Sequence, residues 1–156
     1  MEWFDRWCAW QIPENLNAVV CYENAALHTF RVAKQNETAT ILDAASFHYA
    51  WQDAAYDPVE SEAAHTKINA HKDDELKWAD HVLTVSELAR ESYIEGGVPA
   101  AKVTTVPMGA NLSDFAPPSP LRSPSGDNSP FTFLFVGHAG RRKGTDTLLS
   151  ASRILH

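Results

Sequence analysis

Residues 79–107 read Ala79-Asp80-His81-Val82-Leu83-Thr84-Val85-Ser86-Glu87-Leu88-Ala89-Arg90-Glu91-Ser92-Tyr93-Ile94-Glu95-Gly96-Gly97-Val98-Pro99-Ala100-Ala101-Lys102-Val103-Thr104-Thr105-Val106-Pro107. Val82 to Val85 is a short apolar run of strand length. Ser86 is a helix cap, and the helix it opens stops at Gly96-Gly97. Val103 to Val106 is a second strand, closed by Pro107. Strand, capped helix and strand with short connections make one βαβ unit, and parallel strands require such a crossover.

The pattern continues upstream. Trp3, Phe4, Trp7 and Trp10 recur at helical spacing and predict an apolar helix face that Pro13 terminates, read as core-facing in preference to a ligand-stacking platform. Ala18-Val19-Val20-Cys21-Tyr22 reads as a strand buried on both faces. Asn24 is positioned to cap a helix carrying Ala26, Phe30 and Ala33. Thr40-Ile41-Leu42 is the next strand, and Asp43 to Asp57 reads as a loop. Asp57-Pro58-Val59-Glu60 carries start signals for a long polar helix ending near Trp78. The alternation α-β-α-β-α-β-α-β predicts an α/β fold, a Rossmann-like parallel sheet with helices on both faces.

Composition narrows the function. With 156 residues, 44% apolar and 21% charged, the chain has the make-up of a soluble globular protein. A net charge of −7 argues against nucleic acid as a partner, which needs a basic surface. Cys8 and Cys21 are too few for a disulfide framework or a zinc site, and read as buried thiols of a reducing compartment. No signal peptide and no bilayer-length apolar run is visible. The expected location is the cytoplasm, extending to peripheral contact with the inner face of the membrane.

Five of the nine prolines fall between residues 117 and 130, together with four serines. That segment predicts an extended linker between two domains. The division expected is 1–116, a partial N-terminal domain; 117–130, the linker; and 131–156, the truncated start of a second domain. In the last part Phe131 to Val136 reads as a strand. Gly137-His138-Ala139-Gly140-Arg141-Arg142-Lys143-Gly144 is a loop, and Thr145 caps a helix carrying Leu148, Leu149, Ser152 and Leu155.

In an open parallel sheet, ligands bind beyond the carboxyl ends of the strands. Glycines there allow close backbone approach, and a helix N-terminus attracts anions. Arg141, Arg142 and Lys143 add charge in the same loop, which favours a diphosphate over a merely solvated basic turn. The loop is neither a dinucleotide fingerprint nor a P-loop, since G-x-G-x-x-G is absent and Gly144 follows Lys143.

Three blocks resemble the retaining glycosyltransferases with two facing Rossmann-like domains (the GT-B fold, family GT4). Glu75 with Ala79-Asp80-His81-Val82-Leu83-Thr84-Val85-Ser86 is the first. Gly97-Val98-Pro99-Ala100-Ala101-Lys102-Val103, then Val106-Pro107-Met108-Gly109-Ala110-Asn111 and Phe115-Ala116-Pro117, is the second. Phe133-Leu134-Phe135-Val136-Gly137, Arg142-Lys143-Gly144 and Leu148-Leu149-Ser150-Ala151 is the third. The blocks cover about half of the chain.

The resemblance implies transfer of a sugar, with retention, from a nucleotide diphosphate sugar to a glycan, lipid-linked or small-molecule acceptor. It implies no metal or other cofactor. The diphosphate would be held by Gly137, His138, Arg141, Arg142, Lys143 and Gly144, with Lys143 matching the family's phosphate-binding lysine. His138 stands where the family usually has arginine, and Met108 where it has asparagine. His48, in a loop after a strand, matches a histidine that faces the donor sugar and is the expected catalytic residue. His65, His71 and His81 have weaker claims. His71, Asp74 and Glu75 read as a solvated charged helix face rather than a metal site, as do Glu62 and Asp73. The paired-glutamate segment of the family is not in the sequence, so the chain alone is expected to be inactive. A non-catalytic nucleotide-binding module, an epimerase or a phosphorylase of the same fold are the alternatives.

Overall fold

A computed structural model of the protein describes residues 2–55, 61–114, 132–140 and 143–155. They fall into two compact units, Met1–Ala110 and Asn111–His156. In the first unit the elements are α1 (Glu2–Gln11), β1 (Ala18–Tyr22), α2 (Leu27–Gln35), β2 (Ala39–Ala44), α3 (Tyr49–Ala55), α4 (Glu62–Trp78), β3 (His81–Thr84), α5 (Glu87–Glu95) and β4 (Val103–Thr105). The four strands form one all-parallel sheet in the order β1-β2-β3-β4.

Local chemistry explains the second half of this unit as read. The Ser86 hydroxyl accepts the Ala89 N–H at 3.1 Å and opens α5. Gly97, at φ +95°, turns the chain out of the helix where a side chain would be strained. Asp80 stitches the strand entrances together. Its carboxylate accepts the Thr40 N–H at 2.8 Å and pairs with Lys34. Burial pushes the Asp80 carboxyl up, but Lys34 and Thr40 outweigh it and hold it below the usual range.

The order of the strands decides where the helices lie. Each crossover steps in the same direction, and right-handed crossovers then put every connecting helix on one face. That face holds the core: Leu42, Ala44, Val82 and Val103 from the strands, with Ala26 and Phe30 from α2, Leu76 from α4 and Tyr93 from α5. The expectation of helices on both faces is therefore corrected among the described residues. The opposite face leaves Val20 57% and Tyr22 55% exposed, so β1 alternates and is not buried on both sides.

Other expectations change as well. The Asp43–Asp57 segment contains α3, opened by the His48 carbonyl, which accepts the N–H groups of Trp51 at 3.0 Å and Gln52 at 3.2 Å. The start signals at 57–60 lie outside the described residues, and α4 is described from Glu62. Glu75, expected on a solvated face, is completely buried. Both cysteines are free but half-buried; burial, reinforced by the nearby negative groups, pushes the Cys21 thiol up to about 12.

The largest correction concerns α1 and α2. Asn24 does not cap α2; it makes a left-handed turn at φ +69°. Two distant carboxylates replace the cap. Asp5, on α1, accepts the N–H groups of His28 at 2.7 Å and Thr29 at 2.9 Å, and the Thr29 hydroxyl at 2.7 Å. Glu75, on α4, accepts the N–H groups of Asn24 and Ala26, each at 2.8 Å. A helix begins with unpaired N–H groups and a positive dipole end, so buried carboxylates satisfy it well. Because Asp5 faces inward, the tryptophans of α1 face outward instead of forming core.

In the second unit, α6 (Thr145–Ile154) is present, preceded by the loop from Gly137. The expected strand is not formed over residues 132–136, and Phe133, Leu134 and Val136 are exposed. A strand is stable only with a partner strand, and none is offered among the described residues of this unit. Residues 115–131, which include the whole of the expected linker, lie outside the described residues. Among the described residues no helix is long and apolar enough to cross a membrane.

Replacing Asp5 by alanine should strip two backbone N–H groups of their partners and loosen α1 from α2. The expected loss is about 1–3 kcal/mol, read from urea midpoints, with hydrogen exchange accelerated first in α1. An unchanged midpoint would remove the capping role.

Candidate functional site

Residues that follow β1 and β2 meet residues of α4 and α5 in a polar cluster. Glu23, directly after β1, is buried; it accepts the Ser46 hydroxyl at 2.8 Å and the Tyr93 hydroxyl at 3.3 Å. Lys72 Nζ lies 3.2 Å from Glu23, and His71 Nε2 lies 3.2 Å from Glu75. Burial pushes the Glu75 carboxyl up, against the pull of the Ala26 and Asn24 N–H groups. The Tyr93 hydroxyl is pushed far up, first by burial and then by Glu23. The cluster is locked: each of these groups already has a partner.

Beside it a cavity of about 610 Å³ opens between α3 and α4. Asn24, Tyr49, Gln52, Asp53, His65 and His71 are among its walls. The Tyr49 hydroxyl donates to Asp73 at 2.9 Å, and burial followed by Asp73 raises its pKa. Asp53 accepts the Asn69 amide at 3.0 Å and lies 2.9 Å from His65 Nε2. Such a volume, with polar groups converging on it, is the size of a small-molecule site. Glu2, Lys67 and Lys72 complete the polar lining, so the walls offer carboxylate, ammonium, amide, hydroxyl and imidazole groups.

His48 lies between β2 and α3 but does not line that cavity. It is 4% exposed, with its ring edge-on to Tyr93 at 5.4 Å and tilted against Tyr49 at 4.3 Å. Its N–H donates to the Ser92 hydroxyl at 2.9 Å, and its Nδ1 accepts the Ala50 N–H at 3.3 Å. The ring lies over Gly96, where a Cβ would meet it at 2.7 Å. Burial lowers the His48 pKa, which favours the neutral ring.

In the second unit Lys143 is exposed just before α6. Gly144, at φ +69°, occupies the cap position rather than Thr145. The Thr145 hydroxyl instead accepts the Gly140 N–H at 3.0 Å and closes the loop on itself. Gly137 and His138 are exposed in the same loop, and Arg141 and Arg142 lie outside the described residues.

Among the described residues no group of three potential ligands is placed to hold a metal; His71 pairs with Glu75, and Asp74 with Lys77 at 3.0 Å. Sequence reasoning passed over Glu23, Lys72, Tyr49 and Asp53. Glu23 carries one available signal, its position at the carboxyl end of a strand. Tyr49 and Asp53 depend on α3, which the sequence did not announce, and Lys72 on the packing of α4 against Glu23.

No protein-family model matches the chain, and no curated protein matches it.

Gly96→Ala should destabilise the first unit by about 1–3 kcal/mol through overpacking against the His48 ring. A double variant with His48→Ala should recover part of that loss, as a double-mutant cycle in urea would measure. Additive losses would rule out the contact.

Neutral His48 also sets a pH dependence. The unfolded ring takes up its proton near the ordinary value of 6.5, before the folded ring does. Stability should therefore fall as pH drops below about 6.5, and His48→Gln should flatten that slope. An unaltered slope would contradict the burial argument.

Proposed function

We propose that this chain serves retaining glycosyl transfer from a nucleoside diphosphate sugar to an acceptor hydroxyl. The observation that carries the reading is the set of tasks performed by the motif residues. Glu75, Asp80 and Ser86 recur in the resembling pattern. Here Glu75 receives the turn before α2, Asp80 joins two strand entrances, and Ser86 caps α5. Lys102 donates to the Leu76 carbonyl at 2.8 Å, and Gly97 makes the positive-φ turn. Each task needs its residue type.

In this reading the cavity between α3 and α4 receives the acceptor. The loop containing Gly137, His138, Arg141, Arg142, Lys143 and Gly144 receives the diphosphate. Negative charge grows on the leaving diphosphate in the transition state, and fixed cations and N–H dipoles stabilise it there. In this reading those cations neutralise the leaving group without a metal. His48, being packed against Gly96, holds α3 and the wall of the acceptor cavity; it acts as a positioning residue.

The burial of His48 also supports a second reading, a binding module that holds a nucleotide or sugar without chemistry. Activity separates the two readings, and affinity alone does not.

Titration calorimetry with UDP, GDP and ADP tests the donor loop. One of them should bind, and Lys143→Ala should weaken it by about tenfold or more, as expected for a charged hydrogen bond to phosphate. Asp53→Ala, in the acceptor cavity, should leave that affinity unchanged, and in a protein that joins this segment to a complete donor domain it should slow transfer. Equal affinity in wild type and Lys143→Ala would remove the loop from the reading.

A further inference from the structure

Trp3, Trp7 and Trp10 stand at i, i+4 and i+7 on α1 and project from one side of the helix. They are 89%, 58% and 81% exposed. The helix cannot roll to hide them without withdrawing the buried Asp5 carboxylate from the start of α2. A cavity of about 500 Å³ runs along this face, lined by Glu2, Trp3, Arg6, Trp7 and Trp10. Glu2 and Arg6 pair at 2.9 Å, so the groove offers both a carboxylate and a guanidinium with no net charge.

Two features identify the occupant. The first is charge. A neutral groove does not suit a polyphosphate or an anionic lipid surface, since its one cation is already paired. The second is continuity: Glu2 lines both this groove and the cavity between α3 and α4. A ligand that spans both must be elongated, have flat apolar faces for the indoles, and carry polar groups along its rim. A chain of pyranose rings has that chemistry, with C–H groups on the ring faces and hydroxyls at the edge. Helical rise sets the three indole positions roughly 6 and 4.5 Å apart along the axis, a spacing of the order of one sugar ring. Aromatic walls with a few fixed polar groups are the usual make-up of a specific small-ligand site.

We propose that α1 is a saccharide platform. A neutral oligosaccharide stacks on Trp3, Trp7 and Trp10, bonds its hydroxyls to Glu2 and Arg6, and passes Glu2 toward the cavity between α3 and α4. In naming the acceptor as a glycan chain this rests on the proposed transfer reaction; the stacking itself does not.

A printed array of neutral and acidic glycans, from monosaccharides to hexasaccharides, tests the platform with the purified protein. Wild type should retain neutral oligosaccharides, more strongly with increasing chain length, and the best binder should shift the tryptophan emission in solution. A Trp7→Ala/Trp10→Ala variant should lose about tenfold or more of that affinity, with an unchanged urea midpoint because both side chains are exposed. Trp10→Phe should retain most of it. The platform is overturned if wild type retains no glycan, if the double variant binds as well, or if lipid vesicles shift the emission and glycans do not. Glycan binding together with a silent Lys143→Ala would sink the transfer reaction and leave the platform; the reverse pair of results would sink the platform alone.

Discussion

A carboxylate taken out of water must be met by donors, and in this protein the donors are the backbone N–H groups of the turn from Asn24 to Thr29. Asp5 and Glu75 come from helices on opposite sides of that turn in sequence, 24 and 49 residues from partners at Thr29 and Ala26. Their meeting fixes three helices at once. α2 receives the termination that its own N-terminal residues do not supply. α1 is held with Asp5 inward, and α4 is held with Glu75 inward. The direction in which the tryptophans and the cavity-lining residues of α4 point follows from those two contacts.

This also explains which parts of the fold were legible in the sequence. β3, α5 and β4 are specified by neighbours: Ser86 caps its own helix, Gly96-Gly97 ends it, and the strands are short apolar runs. Such signals survive without knowledge of the rest of the chain. α2 lacks them because its caps arrive from distant residues, so Asn24 was assigned a task that Asp5 and Glu75 perform. The periodicity of α1 was read correctly, but its orientation was not. An apolar stripe states which residues share a face, and a single buried aspartate decides which face is inward.

The candidate site divides in the same way. The carboxyl ends of the strands were identifiable, and His48 was correctly placed in the loop after β2. Its burial against Gly96 is a tertiary fact that no local pattern expresses. α3 was missed because its start depends on the His48 carbonyl and on packing between Phe47 and Trp51, whose rings stack at 5.9 Å. With α3 missing, the cavity it forms with α4 was invisible, along with Tyr49 and Asp53. In the second unit, Thr145 has the residue type of a cap, yet its hydroxyl is engaged by Gly140 and the left-handed Gly144 takes the cap position.

Locked and open polar groups have different uses. Glu23 is met by Lys72 and Tyr93, and Glu75 by the Asn24 and Ala26 N–H groups and His71, so removing either carboxylate would strand buried partners. Their pairing makes the floor rigid and leaves little capacity for a ligand. The groups around the cavity are shared more loosely: Tyr49, Asp53, His65 and Asn69 are at most half-buried or lie at the surface. Hydroxyl-rich ligands exchange hydrogen bonds with such groups at small desolvation cost, because both sides were already hydrated. The walls also carry charged groups, Glu2, Asp53, Lys67 and Lys72, so the cavity presents both signs of charge above a rigid ionic floor. The tryptophan groove shares Glu2 with that cavity, and there the Glu2 carboxylate is paired with Arg6.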